Sequence, residues 1–255
     1  MLESLKRWIA GSRGGPDPRA MQGWARQRGL ALKRVREDEG VVVEGAMHGT
    51  PWRMEWGPPQ RAYILERELR LRMDLGLPHG LQMLVTSREL AEELEQSAYA
   101  LFTQDMQTRI DSGMPEEMRW LAMFPKTQLA AMKPLKARFA AVASVPETLS
   151  AWLEGELAQR LDAAARSWLV QDDPMVLMTL RGRLYLRIES LQPDEALLDG
   201  ALSLFEVAAQ RALVAAEGAA PGQWPNTSST AWGNNLPSAY PDDAAEDTGG
   251  GVPPR

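Results

Sequence analysis

Apolar and polar residues alternate along much of the first third of the chain. Trp52, Met54 and Trp56 are separated by Arg53 and Glu55, and Leu69, Leu71 and Met73 by Arg70, Arg72 and Asp74. This period of two is the mark of strands with one buried and one wetted face. The span Leu30–Val85 is therefore expected to be mainly β. Val41-Val42-Val43 and Trp52–Trp56 flank Gly45–Pro51 as the arms and loop of a hairpin, Pro58-Pro59 interrupts the pattern, and Leu81–Val85 forms a further short strand. A second hairpin is expected from Met175–Leu180 and Arg183–Glu189 around Arg181-Gly182. There Leu184, Leu186 and Ile188 oppose Arg183, Tyr185 and Arg187 across the strand.

Elsewhere the period lengthens to that of helices. Arg19–Arg28 reads as a short helix closed by Gly29. Leu90, Leu94, Ala98 and Leu101 start an apolar stripe that Phe102, Met106 and Ile110 continue, behind a Thr86-Ser-Arg-Glu89 spacing that suits a capping box. Leu149, Leu153, Leu157, Leu161, Ala165 and Trp168 form a second stripe behind Ser144-Val-Pro-Glu147, with Pro146 at an early helical position. Leu197, Ala201, Leu204 and Ala208 form a third, opened by Pro193. Arg119–Phe124 and Phe139–Ala143 are expected as short strands. The recurring strand–cap–helix order invites comparison as a duplication, but the matching stretches are too short to establish one. The fold class expected is α+β, with antiparallel strands and helices packed on one face, because hairpins outnumber strand–helix–strand crossovers.

The two ends differ from this body. Residues 1–18 are expected to be an arm, with a helical turn or two over residues 2–10 and a linker Gly11-Ser-Arg-Gly-Gly-Pro-Asp-Pro18. Residues 19–217 form the ordered body, with Pro125 and Pro134 marking a candidate subdivision near 125–136. From 218 to 255 apolar periodicity stops, and Asp242, Asp243, Glu246 and Asp247 make the segment acidic. A segment of that composition cannot offset an ordering cost of about 1–2 kcal/mol per residue, and a disordered tail is expected.

Composition narrows the function classes. The 255 residues include no cysteine, which excludes disulfides, thiolate nucleophiles and cysteine-based zinc sites. The formal net charge of -6 gives no general attraction to nucleic acid, and no stretch approaches the roughly 20 apolar residues of a membrane span. The first ten residues lack the sustained apolar region of a signal peptide, so a cytoplasmic protein is expected.

Candidate chemistry is sparse. The only histidines, His48 and His79, lie in expected turns without metal-ligand spacing, and no cofactor or metal is expected. No Gly-x-Ser-x-Gly elbow, P-loop or strand-borne Gly-x-Gly-x-x-Gly occurs. Paired carboxylates such as Glu92-Glu93 and Glu116-Glu117 read as solvated charges. Arginines are the one polar group with a pattern. Arg53, Arg61, Arg67, Arg70 and Arg72 lie in or beside strands, and Arg183 and Arg187 lie in another. On one sheet face Arg53, Arg61, Arg70 and Arg72 could bind phosphate or carboxylate through their planar donor forks. The competing expectation is a wet face with Glu55, Glu66, Glu68 and Asp74 paired across strands. Tyr63 and Tyr185 add aromatic surface, but the intervening acids argue against nucleic acid. Trp52, Met54 and Trp56 are expected in the core. Trp224 and Trp232, in the tail, are candidate docking residues for a partner.

Arg138-Phe-Ala-Ala-Val-Ala-Ser144 through Trp168, then Met175–Leu180 and Gly182-Arg-Leu-Tyr-Leu-Arg187, resembles a layout found in bacterial families of unknown function. In that layout a strand ending in serine leads to a helix, and a hairpin follows. The resemblance covers the second half of the ordered chain, implies an α+β domain, and brings no catalytic residue with it. The expectation for function is a non-enzymatic binding or adaptor protein of a bacterial cytoplasm that meets a protein partner. The alternative is an enzyme acting on a phosphorylated or carboxylated small molecule through sheet-borne Arg and Glu groups.

Overall fold

In a computed structural model the described residues are 17–35, 40–103, 114–126 and 133–218. Residues 1–16 of the expected 1–18 arm, and residues 219–255 of the expected 218–255 tail with Trp224 and Trp232, lie outside them. In chain order the elements are α1 (Arg19–Gln27), β1 (Ala31–Val35), β2 (Gly40–Met47), β3 (Thr50–Gly57), β4 (Glu68–Asp74), β5 (Met83–Ser87), α2 (Arg88–Thr103), α3 (Glu116–Met123), α4 (Lys133–Arg138), β6 (Phe139–Ala143), α5 (Pro146–Leu153), α6 (Glu156–Arg166), β7 (Met175–Leu180), β8 (Arg183–Glu189) and α7 (Glu195–Glu217). The eight strands form one sheet in the order β1-β2-β3-β4-β8-β7-β5-β6, and every neighbouring pair is antiparallel. The fold is α+β. Strands on both sides of the 125–136 segment belong to that one sheet.

Both hairpins close on two-residue turns. His48 and Gly49 have φ of 50° and 84°, and Arg181 and Gly182 have φ of 51° and 83°. Two successive left-handed residues make a type I′ turn, whose twist matches that of the flanking strands. The β2–β3 turn is thus tighter than the Gly45–Pro51 loop expected, because β2 and β3 keep pairing up to Met47 and Thr50.

Alternation decides which side each strand residue faces. One face carries Val41, Val43, Trp52, Met54, Trp56, Leu69, Leu71, Met73, Leu184, Leu186 and Ile188, all buried in the main core with α1 and α4–α7. Indole nitrogens tie this layer together. Trp24 Nε1 donates to Asp199 Oδ1 at 2.7 Å, and Trp152 Nε1 to the Ala208 carbonyl at 2.9 Å. This face holds the main helical layer. The second face has a helical layer over one half: Leu84, Val142, Val176 and Met178 are buried, outside the main core, with Leu90, Leu94, Met118, Trp120 and Leu121 of α2 and α3. β5, β6 and β7 are apolar on both faces, so a one-sided helical layer would leave half of each in water.

Three local expectations give way. Arg119–Phe124 is not a strand; residues up to Met123 belong to α3, with Phe124 as its C-cap, and Glu117, Met118, Trp120 and Leu121 share the buried side. A short apolar run fits a buried helix as well as a strand, and Glu116 and Glu117 at the N-terminal turn favour the helix. The two capping boxes do not form. Thr86 and Ser87 stay in β5, the Thr86 hydroxyl donating to the Met175 carbonyl at 2.8 Å. Ser144 Oγ donates to the Gly80 carbonyl at 2.9 Å, and α5 starts behind Val145 without a side-chain cap. The stripe from Leu149 to Trp168 is two helices, because Gly155 (φ 76°) turns the chain between them. Among the described residues no helix is long and apolar enough to cross a membrane.

Candidate functional site

The other half of the second face, on β2, β3, β4 and β8, is charged, and the loop between β3 and β4 lies over part of it. Register places Glu44, Arg53, Arg72 and Tyr185 in one row across the strands, and Val42, Glu55, Arg70 and Arg187 in the next. Glu68 and Glu189 lie opposite each other in a third row. Arg53, Arg70 and Arg72 therefore share a face, as the alternation predicts, and acidic partners alternate with them.

The pairs form a chain of alternating charge. Arg53 lies 3.6 Å from Glu44 and 2.5 Å from Glu55. Arg70 Nη2 donates to Glu55 Oε2 at 2.9 Å and its Nη1 to the Pro58 carbonyl at 2.9 Å, with Glu68 Oε2 at 3.3 Å. Arg187 Nη1 donates to Glu68 Oε1, and the Gln60 backbone N–H donates to Glu68 Oε2 at 2.7 Å. Arg187 is 1% exposed and Glu68 0%, so neither charge has water to screen it.

The loop between β3 and β4 and the first turn of α3 add a second centre. Arg61 does not join the sheet arginines. Its Nε donates to Glu117 Oε1 at 3.0 Å and its Nη2 to Glu116 Oε2 at 3.4 Å. The Tyr63 hydroxyl donates to the same Glu117 Oε1 at 2.8 Å. Glu117 is fully buried, not the solvated charge its Glu-Glu context suggests. A helix whose other buried residues are Met118, Trp120 and Leu121 carries it under the loop, and no local pattern of carboxylates encodes that.

The electrostatics follow from burial set against the arginines. Burial alone would raise the Glu117 carboxyl, but Arg61 and then Arg187 hold it below the usual range. Burial likewise opposes ionisation of Glu55, and Arg70 and Arg53 outweigh it. The Tyr63 hydroxyl is pushed well above its ordinary value by burial and by the Glu117 charge, so it keeps its proton as a fixed donor and is a poor acid. Burial also raises Tyr185, against an opposing bond from Arg183.

The remaining candidates lie apart. Arg67 stacks over the Trp56 ring at 4.4 Å, and Trp52, Met54 and Trp56 are in the core. His48 is an exposed turn residue with Nε2 3.2 Å from Glu206 Oε1 and 2.8 Å from Gln210 Nε2; His79 is exposed in another turn. Among the described residues no three His, Asp or Glu side chains gather in a metal-binding arrangement. The signals available in sequence found the sheet arginines and their acidic neighbours. They missed Glu117 and Gln60, whose roles depend on a loop and a helix meeting over the sheet. Comparison with known proteins finds no matching family model, no matching curated protein and no matching solved structure.

Proposed function

We propose that the protein is a non-enzymatic binding module of the cytoplasm that engages a protein partner through its surface, with the charged sheet face as scaffold. The observation that carries this reading is the internal compensation of the face. Arg53, Arg70, Arg187 and Arg61 are each held by a carboxylate of the same chain. An anion that entered would have to displace Glu55, Glu68 or Glu117, each already paired with its arginine and the last two fully buried. That exchange gains little Coulomb energy and leaves a buried carboxylate unpaired, at a cost of several kcal/mol, about 3–5 by analogy with other buried pairs. Nucleic acid is disfavoured on the same ground, since the face is balanced in charge and the chain is net acidic.

The rival reading, an enzyme for a phosphorylated or carboxylated small molecule, draws on the convergence of Arg70, Arg187, Glu68, Gln60 and Tyr63. Thermal unfolding of the full chain with inorganic phosphate and with citrate separates the two. The binding-module reading expects no saturable rise in Tm. A saturable rise that Arg70→Gln abolishes supports the enzyme instead. The module reading further expects the native protein to migrate in gel filtration with a second polypeptide in fixed ratio. Migration of the 28.2 kDa chain alone, from cells that express it, removes it.

A further inference from the structure

Resting on the binding-module reading, we infer that the outer edge of β1 accepts an extended segment of a partner polypeptide carrying an acidic residue two positions before an apolar one. β1 and β6 are the two edges of the sheet. The edge at β6 is occupied: Lys126 bridges Val142, and the Arg88 guanidinium donates to the Phe139 carbonyl at 2.9 Å. β1 pairs with β2 on one side, and among the described residues no strand or bridge lies on the other.

The direction of the β1 backbone follows from the ladder. The His48-Gly49 turn makes Met47 and Thr50 a hydrogen-bonded pair, and such pairs alternate along antiparallel strands. Val43 and Val41 of β2 thus bond toward β3, while Glu44, Val42 and Gly40 bond toward β1. Opposite these stand Ala31, Lys33 and Val35. Leu32 and Arg34 are left with N–H and C=O groups directed outward, which is what strand addition requires.

Charge selects the occupant. The Lys33 ammonium leans over the sheet to Glu44 Oε2 at 2.7 Å and is already neutralised. Arg34 is exposed and has no ion pair among the described residues. It shares its face with Leu32, which packs against the core. An incoming antiparallel strand that sets a carboxylate opposite Arg34 and an apolar side chain opposite Leu32 satisfies both. A second copy fits worse. The outward groups pair only Leu32 with Arg34 of the other copy in the full-length register, and this sets Lys33 against Lys33 at the close, non-hydrogen-bonded position. Lysine on an edge is a known guard against such self-pairing.

The test uses the full chain, labelled with nitrogen-15, and the probe acetyl-Thr-Thr-Glu-Thr-Leu-Thr-amide. Saturable shifts of the Leu32 and Arg34 amide resonances are expected. Replacing the probe glutamate by lysine is expected to weaken binding about fivefold. Arg34→Glu is expected to reverse that preference, and N-methylation of the probe's Glu and Leu amides to abolish binding. Absence of shifts at these two amides, or an unchanged preference in Arg34→Glu, overturns the inference. Concentration-dependent shifts without probe would make a second copy the occupant and overturn it too. If a native partner is retained equally by Arg34→Glu, the edge is wrong and the module reading stands; a phosphate-stabilised chain sinks the module reading first.

Discussion

Glu117 is the residue on which the second polar centre turns. It is fully buried, ionised and shared between Arg61 and Tyr63. Removing its charge takes from the Arg61 guanidinium its fully buried acceptor and leaves Glu116 at 3.4 Å, so Glu117→Leu is expected to lower stability by about 3 kcal/mol in urea titration. The double variant Arg61→Met with Glu117→Leu is expected to recover most of that loss, since the buried charge goes with its partner. An undiminished loss in the double variant would show that packing of α3, not the pair, sets the effect. The pH dependence has a definite sign. Glu117 and Glu55 have folded values below the unfolded value of 4.5, so in that window the unfolded chain holds more protons. Their contribution is present above about pH 4.5 and is lost as pH falls through the folded values. Tyr63 works at the other end. Its raised value contributes stability below pH 10 that is lost as pH rises further, and Tyr63→Phe is expected to flatten the alkaline limb of a stability profile.

Element boundaries were set by competition between local caps and neighbouring strands. Asp194 is a helix cap that does form, its Oδ1 accepting the Leu197 N–H at 2.8 Å. Asp194→Ala is therefore expected to cost about 1 kcal/mol. Thr86 has the residue type of a cap and spends its hydroxyl on β7 instead, so Thr86→Val tests a buried cross-strand bond and is expected to cost about 1–3 kcal/mol. The type I′ turns offer a sharper contrast. Gly49 and Gly182 have nearly the same φ, but a Cβ on Gly182 would sit 3.0 Å from the Leu77 carbonyl oxygen, whereas one on Gly49 meets nothing within 4 Å. Chemical denaturation should find Gly182→Ala the more damaging: both variants carry the roughly 1 kcal/mol of a left-handed alanine, and Gly182→Ala adds the contact with Leu77. Equal losses would mean that the Leu77 loop yields freely.

At the scale of the sheet, burial is graded from centre to edge. β7 and β8 lie between other strands and beneath helices, whereas β1 is exposed along most of its length. Native-state hydrogen exchange is expected to be slowest at Leu177, Leu184 and Leu186 and fastest, within the sheet, at Leu32 and Arg34. Slow exchange at those two amides would mean that the outer edge is already covered. Much of this architecture was legible in the sequence. Period-two alternation assigned β3, β4 and β8 and put Arg53, Arg70 and Arg72 on one face, because side-chain direction in a strand is a local geometric fact. Gly29 and Pro193 likewise marked helix ends by local backbone chemistry, whereas the Asp194 cap was found only in the structure. What the tertiary structure alone decided concerns groups distant in sequence: α3 as a helix rather than a strand, α2 and α3 over the second face, and Glu117 beneath Arg61, 56 residues away. The sequence determines which residues must leave water and in which direction each element presents them. Which element covers which face depends on the free energy of burying both together, and that quantity belongs to pairs of segments rather than to either one.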